Sequence, residues 1–196
     1  MGYDMRFLKG KTIRIERDLS DLDRFTVEFI RVLRRHTRYV IVSGYVSILL
    51  GRARSSEDVD IIIPKMERPL FSNLVDDLKE NGFWCLQTEK TKDIYDYHKD
   101  NIAVRFAKKG RVIPNIELKA SKNIADKTAL DENMTVKLKS DELTISNLEL
   151  QVAFKEAVLK SPKDVEDARH IRNIAGTRLD SMKVTKYKRM LHELSK

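Results

Sequence analysis

The sequence predicts an α+β fold, in which a small mixed β-sheet is flanked by helices and followed by a helical C-terminal part. Strand-length apolar runs alternate with amphipathic helical patterns up to about residue 145, and only helical patterns follow. Hydrophobic residues make up 41% of the 196 residues, which is enough to form a packed core. We therefore predict a sheet-based core over residues 1–145 and C-terminal helices, packed on that core, over residues 146–196.

The first half of the chain begins with a predicted hairpin over residues 6–15, which turns at Gly10. A helix should begin at Ser20, because Asp23 follows three residues later and apolar residues then recur at helical spacing. Glycine or proline closes three of the later elements. These later elements are strands at 39–42, 59–63 and 83–87 and helices at 46–50 and 69–81.

The second half is predicted to contain two more hairpins, at 102–120 and 135–145, after an ambiguous polar stretch at 88–100. A capping box at Ser146 and Glu149 predicts a helix to about residue 160. Ser161 and Pro162 predict the start of the next helix, which Gly176 should close. The last helix is expected over about 180–194.

Composition excludes several classes of protein. Cys85 is the only cysteine, so an intramolecular disulfide and a cysteine-based metal site are excluded. No apolar run approaches the roughly 20 residues that span a bilayer, and the first residues lack the layout of a signal peptide, so we expect a cytoplasmic protein without a membrane partner. The net charge is +8, and residues 151–196 hold 11 Lys and Arg against 6 Asp and Glu. This surplus suits RNA, although solvated helix faces explain it equally well.

Two aspartates follow a strand–glycine–helix junction. The strand at 39–42 runs into Gly44, where the backbone can approach a phosphate, and the N-terminus of a helix should face the same place. The next strand opens with Asp58 and Asp60, which strand alternation places on one face. Two neighbouring carboxylates repel each other unless a cation neutralises them, and oxygen ligands beside phosphate favour Mg²⁺ or Mn²⁺.

A third carboxylate on a neighbouring strand would complete this metal site. Glu117 is the best candidate, because it lies between Ile116 and Leu118 and so points to the polar side of its strand. Asp100 and Asp126 are the rival candidates. We predict that Asp58, Asp60 and Glu117 are the catalytic and metal-binding residues of an in-line nucleotidyl transfer.

This segment resembles the nucleotidyltransferase superfamily that includes DNA polymerase beta, and within it the AbiEii-type toxins of type IV toxin–antitoxin systems and their small relatives. That group has a Gly-Gly-Thr-like turn, here Ser43-Gly44-Tyr45, followed by Arg-x-Ser/Thr-x-Asp-x-Asp, here Arg54 to Asp60 with Ser56 at the hydroxyl position. Tyr45 stands where the group has a hydroxyl, and Ser43 or Ser47 is the candidate to supply it instead. The resemblance covers about residues 38–175, although 66–110 match nothing in the group.

A second motif of the same group also matches. The group has a helical lysine followed by a Lys-Asp-x-x-Asp pair, and this chain has Lys155, Asp164 and Asp167. Lys155 emerges between apolar neighbours, so it needs an anionic partner, either the Asp167 carboxylate or triphosphate oxygens, unless its head snorkels to solvent. Asp164 is also placed to cap its helix from the third position. The resemblance implies that these residues, with Ser43, Gly44, Tyr45, Ser47, Arg54 and Ser56, bind the nucleotide.

The leading hypothesis is an enzyme that moves a nucleoside monophosphate from a nucleoside triphosphate (NTP) to an acceptor hydroxyl and releases pyrophosphate. The resemblance implies tRNA or another RNA as one acceptor, but a protein hydroxyl or a small molecule fits the residues as well. One alternative is a degenerate member that binds nucleotide or RNA without chemistry, which Tyr45 at the turn favours. The other is a toxin–antitoxin interaction partner whose basic helices bind a cognate antitoxin protein.

Overall fold

A mixed sheet of nine strands forms the centre of the protein over residues 4–194, which are the residues that this computed structural model describes. In space the strands lie in the order β1-β2-β8-β9-β3-β4-β7-β6-β5. Three neighbouring pairs, β2 with β8, β3 with β9 and β4 with β7, are parallel, and the others are antiparallel. The strands are β1 (Asp4–Leu8), β2 (Thr12–Glu16), β3 (Val40–Val42), β4 (Asp58–Ile63), β5 (Phe83–Cys85), β6 (Val104–Lys108), β7 (Asn115–Ala120), β8 (Asn133–Leu138) and β9 (Asp141–Ser146).

Eight α-helices accompany the sheet within the same residues. They are α1 (Asp21–Leu33), α2 (Gly44–Leu49), α3 (Arg68–Glu80), α4 (Thr91–Lys99), α5 (Ile124–Asp131), α6 (Leu148–Phe154), α7 (Pro162–Ala175) and α8 (Ser181–Glu193). A π-helical turn (Lys155–Leu159) continues α6, and a 3₁₀ turn (Gly176–Arg178) follows α7. The α+β prediction is confirmed.

The apolar core lies on the face of β4 opposite to its two aspartates. Val59, Ile61 and Ile63 are fully buried there, as strand alternation requires. Helix α1 covers this side, and Phe29 packs edge-on against Phe83 with ring centroids 5.2 Å apart. The other face of β4 carries Asp58 and Asp60 at the start of the strand and the buried Ile62 further along it.

Several local predictions are confirmed. Ser20 caps α1 through a reciprocal pair of hydrogen bonds with Asp23. Ser161 caps α7, with proline in its first turn, and Gly176 follows its last residue. Both the first hairpin and the β8–β9 hairpin form as predicted.

Other boundaries differ from the prediction. The ambiguous stretch contains α4, and α5 occupies a segment for which the sequence suggested no element. Helix α2 starts at Gly44, two residues earlier than predicted, so the glycine lies inside the helix. The predicted cap of α6 was wrong by one residue: Asn147 accepts the N–H of Leu150, whereas Ser146 still belongs to β9 and accepts a hydrogen bond from Gln151.

The C-terminal helices form their own set of contacts. Helix α6 packs against α7 and α8, and α7 also packs against α2 beside the centre of the sheet. The division into residues 1–145 and 146–196 stays a prediction. Along the part of the chain that the structure describes, no helix combines the length and the apolar composition that crossing a membrane requires.

Candidate active site

The three predicted catalytic carboxylates lie on one face of two adjacent strands. Strands β4 and β7 run parallel in a register that pairs Asp60 with Glu117 and Asp58 with Asn115. Residues paired across a sheet point to the same side, so the Asp60 and Glu117 side chains are direct neighbours. Asp60 is also paired with Val42, the last residue of β3, so the Ser43–Gly44 turn begins next to it.

A lysine lies between the two paired carboxylates. Lys119 Nζ is 2.6 Å from Asp60 Oδ1 and 2.9 Å from Glu117 Oε1. Arg105 contacts the other oxygen of Glu117 at 2.9 Å. Burial alone would raise the pKa of Glu117, but the hydrogen bonds from Lys119 and Arg105 outweigh it and lower that pKa, so the carboxylate is ionised at neutral pH.

The carboxylates on this face are the type of ligand that a divalent cation prefers, but they do not converge on one position. Within residues 4–194 no three or more histidine, cysteine, aspartate or glutamate side chains converge closely enough to hold a metal ion. Lys119 Nζ instead contacts the facing oxygens of Asp60 and Glu117. That an ammonium group lies here shows that the position attracts a cation. In addition, Asn115 Oδ1, opposite Asp58, is buried without a hydrogen-bond partner among these residues, so one oxygen ligand is unused.

The turn after β3 has an unusual backbone. Ser43 adopts φ 65° and ψ −138°, a conformation that glycine tolerates far better than serine. At Gly44, an added Cβ would lie 3.0 Å from a guanidinium nitrogen of Arg54. Glycine at this position thus lets Arg54 pack directly on the turn, and the Arg54 guanidinium lies against the backbone there.

Arg54 belongs to a cluster of charged side chains around Asp167, which is fully buried. Arg54 Nη1 is 2.6 Å and Lys155 Nζ 2.8 Å from Asp167 Oδ2. Arg52 Nε adds an ion contact at 2.6 Å from Oδ1, although its N–H does not point at the oxygen. Lys155, itself 1% exposed, also lies 3.6 Å from Asp164. Arg52 also lies 3.9 Å from Glu166, so three cations face three carboxylates in this cluster.

The side chains of four predicted nucleotide-binding residues are buried or form hydrogen bonds within the protein. The Tyr45 ring is buried in the core and its hydroxyl donates to Asp23 at 2.8 Å, so this side chain is occupied within the protein. Ser47 is fully buried inside α2, and its Oγ has no hydrogen-bond partner within residues 4–194. Ser56 Oγ donates to Asp58 Oδ1 at 3.1 Å, so it orients that carboxylate. Asp164 forms a short hydrogen bond with Ser161 at the start of α7.

The two rivals of Glu117 are not paired with Asp60 on the sheet, although Asp126 lines the same cavity as Asp60. Asp100 ends α4, and Asp126 accepts the backbone N–H of Lys122 in the first turn of α5. Neither residue belongs to β4 or β7, the strands that carry Asp60 and Glu117. Glu117 is therefore the acidic side chain that the sheet places beside Asp60.

Sequence reasoning missed three basic residues of the site. Lys119 shares the polar face of β7 with Glu117, two residues away, so alternation alone could have identified it. Arg52 precedes Arg54 by two residues and matches no position of the motif that carries Arg54, so the sequence did not single it out. Arg105 reaches Glu117 because β6 pairs with β7, and nothing in the sequence fixes that register.

The comparisons with known proteins identify the fold. The antibiotic-resistance factor ANT(2″)-Ia, a solution structure, aligns with a TM-score of 0.55 at 14% identity, over 90% of this chain and 95% of that one. An antigenic nucleotidyltransferase-like protein from Paracoccidioides brasiliensis aligns with a TM-score of 0.52 at 15% identity, over 89% of each chain. The chain has the nucleotidyltransferase fold. The likeness to the nucleotidyltransferase fold covers about nine tenths of this chain in both comparisons.

The sequence itself gives no closer relationship. It matches no protein-family model, and it matches no curated protein. The nucleotidyltransferase fold therefore rests on the structural likeness, and the chemistry of this chain has to be argued from its own residues.

Proposed function

We propose that this protein transfers a nucleoside monophosphate from an NTP to an acceptor hydroxyl and releases pyrophosphate, with Mg²⁺ or Mn²⁺ as cofactor. The observation that carries the proposal is the parallel register of β4 and β7. It places Asp58, Asp60 and Glu117 on one face, directly beside the Ser43–Gly44 turn. The nucleotidyltransferase fold supports the same chemistry.

The carboxylates would hold the metal, and the chain supports each of them. Asp58, Asp60 and Glu117 are the ligands, and Asn115 offers a further oxygen. When bound, the ion neutralises charge on the triphosphate and lowers the pKa of the attacking hydroxyl. Ser56 orients Asp58, and the lowered pKa of Glu117 keeps it an ionised ligand at neutral pH.

The triphosphate would lie at the turn, where the Arg54 guanidinium packs on the backbone. Arg54 lies closest to Gly44 and is the residue that we assign to phosphate neutralisation, with Ser43 beside it. Lys155 is almost fully buried against Asp167, so we assign both as positioning residues that fix Arg54.

For the acceptor and the biological setting, the resemblance to AbiEii-type toxins and the basic C-terminal part support tRNA or another RNA as one acceptor class and a cognate antitoxin protein as a partner. A protein hydroxyl or a small molecule fits the residues as well. A second candidate function is nucleotide or RNA binding without transfer. Lys119 favours it, because an ammonium group within 3 Å of two metal ligands competes with the ion, as its 2.6 Å contact with Asp60 indicates. Tyr45 does not favour this second function, since its ring lies in the core.

A transfer assay separates these functions. The protein is incubated with each α-labelled NTP, Mg²⁺, and either total RNA, total protein or a small-molecule extract. We expect Asp58→Asn and Asp60→Asn to reduce labelling by about a hundredfold or more. The control is Asp131→Asn, which removes a solvent-exposed ion pair with Arg38 and should leave labelling unchanged. Metal-dependent NTP binding with no labelled product from any acceptor pool would exclude transfer and favour the second function.

A further inference from the structure

A cavity of about 450 Å³ opens beside the candidate active site. Its polar end is formed by Ser43, Asp60 and Lys119. From there it extends between α5, α6 and α8, where apolar side chains line it. These are Ile62, Ala125, Ala129, Leu150, Phe154, Val158, Leu159, Leu191 and Leu194. The volume is in the range of small-molecule sites, and the cavity is continuous with the predicted catalytic carboxylates.

The far end of this cavity exposes apolar surface to water. Phe154, Val158, Leu159 and Leu194 are between 37% and 45% exposed, and all four line the cavity. Scattered exposed apolar residues are ordinary, but a contiguous group at a concave surface is typical of a ligand site. The π-helical turn contributes to this, because it contains Val158 and Leu159.

Two polar side chains of the walls are engaged within the protein. Gln151 Nε2 donates to Ser146 Oγ at 2.8 Å, and Asn123 Oδ1 accepts the N–H of Asp126 at 2.9 Å. A nucleobase would need free donors and acceptors at its edge, and these walls offer few. The walls are branched aliphatic side chains and contain a single aromatic residue, Phe154, so stacking is limited as well.

The charged groups of the cavity lie near its polar end and balance each other. Two lysines, Lys119 and Lys122, face two aspartates, Asp60 and Asp126. A polycation would need predominantly acidic walls, and an RNA backbone would need predominantly basic ones. Neither is present on this cavity. A neutral molecule with a polar end and an apolar body matches the distribution best.

We propose that this cavity binds the acceptor, and that the acceptor is a small hydroxyl-bearing molecule with an aliphatic or alicyclic body. The proposal rests on the proposed function. The hydroxyl would lie at the Asp60 end, where its oxygen attacks the α-phosphorus of the NTP. The bond from that phosphorus to the bridging oxygen breaks, pyrophosphate leaves, and the hydroxyl proton passes to a carboxylate or to water. The apolar body would cover Phe154 and Val158.

Binding of simple probes tests the assignment without requiring catalysis. The probes are 1-octanol, spermine, a 12-nucleotide RNA and adenosine, each titrated into the full-length protein and followed by amide NMR shifts. We expect 1-octanol to shift residues of α6 and α8, and Val158→Asp to weaken its binding by about tenfold. The matched control is Val165→Asp, which changes an equally exposed valine (43%) on α7 that does not line the cavity.

The possible outcomes are distinct. Equal 1-octanol binding by the two valine variants, or no binding at all, overturns the site. If adenosine, spermine or RNA shifts the same residues and 1-octanol competes with it, the acceptor class is wrong. A dimer that Val158→Asp dissociates would show that a second copy covers the surface, which also overturns the proposal.

One further variant separates failure of this inference from failure of the proposed function. Asp58→Asn should keep 1-octanol binding while it loses transfer. If the wild type also fails to label any acceptor, the ligand site stands and its assignment to an acceptor is overturned. If transfer occurs and Val158→Asp does not raise the KM of the small-molecule acceptor, the inference fails while the proposed function stands.

Discussion

Lys119→Met is expected to tighten the binding of a divalent ion by about tenfold. The Lys119 ammonium contacts Asp60 at 2.6 Å and Glu117 at 2.9 Å, and these contacts must be given up before an ion can share the same oxygens. Hydrogen bonds to charged groups contribute about 1.5–3 kcal/mol. Because the Lys119 side chain is 39% exposed, solvent screens the pair, and we use the lower end of that range. A difference of about 1.4 kcal/mol is a factor of ten in the dissociation constant.

The same variant should lose stability when no ion is present, because two ionised carboxylates then face each other. Titration calorimetry with Mn²⁺ measures the affinity, and thermal unfolding with and without Mn²⁺ measures the stability. The control is Lys122→Met, which removes a positive charge at the exposed edge of the same cavity. An unchanged or weaker Mn²⁺ affinity in Lys119→Met, compared with the wild type and this control, would refute the idea that Lys119 competes with the ion.

Three further predictions concern stability. His98 is buried and accepts the N–H of Met66, and burial followed by the charge of Lys65 lowers its pKa from 6.5 to about 4. The wild type should therefore lose about 3 kcal/mol of stability as the pH falls from about 6.5 to 4, and urea unfolding should show a smaller loss in His98→Gln. Ser43→Gly should raise the melting temperature by about 2–4 °C, because it relieves the strain at φ 65°; a lower melting temperature would contradict this. Asp167→Ala should cost about 3–5 kcal/mol in urea unfolding, since it leaves Lys155 buried without its main partner, and unchanged stability would show that the pair is not needed.

The sequence determined the elements whose signals are local. The capping residues Ser20 and Ser161, the glycine after α7 and the apolar β4 strand needed only neighbours along the chain, and the structure has them as predicted. Alternation along β4 was also sufficient to place Asp58 and Asp60 on one face. Helix α5 was missed because it is only eight residues long and two of its four apolar residues are small alanines, which give a weak periodic signal.

Tertiary structure decided the contacts that join distant segments. The sequence offered Glu117 together with two rivals, and the parallel β4–β7 register, set by burial of Val59, Ile61 and Ile63 on the other face, brought Glu117 to Asp60. That register also brought Lys119 between them. Packing of α2 placed the Tyr45 ring in the core. A motif cannot show this, because the direction of a side chain depends on what its helix packs against.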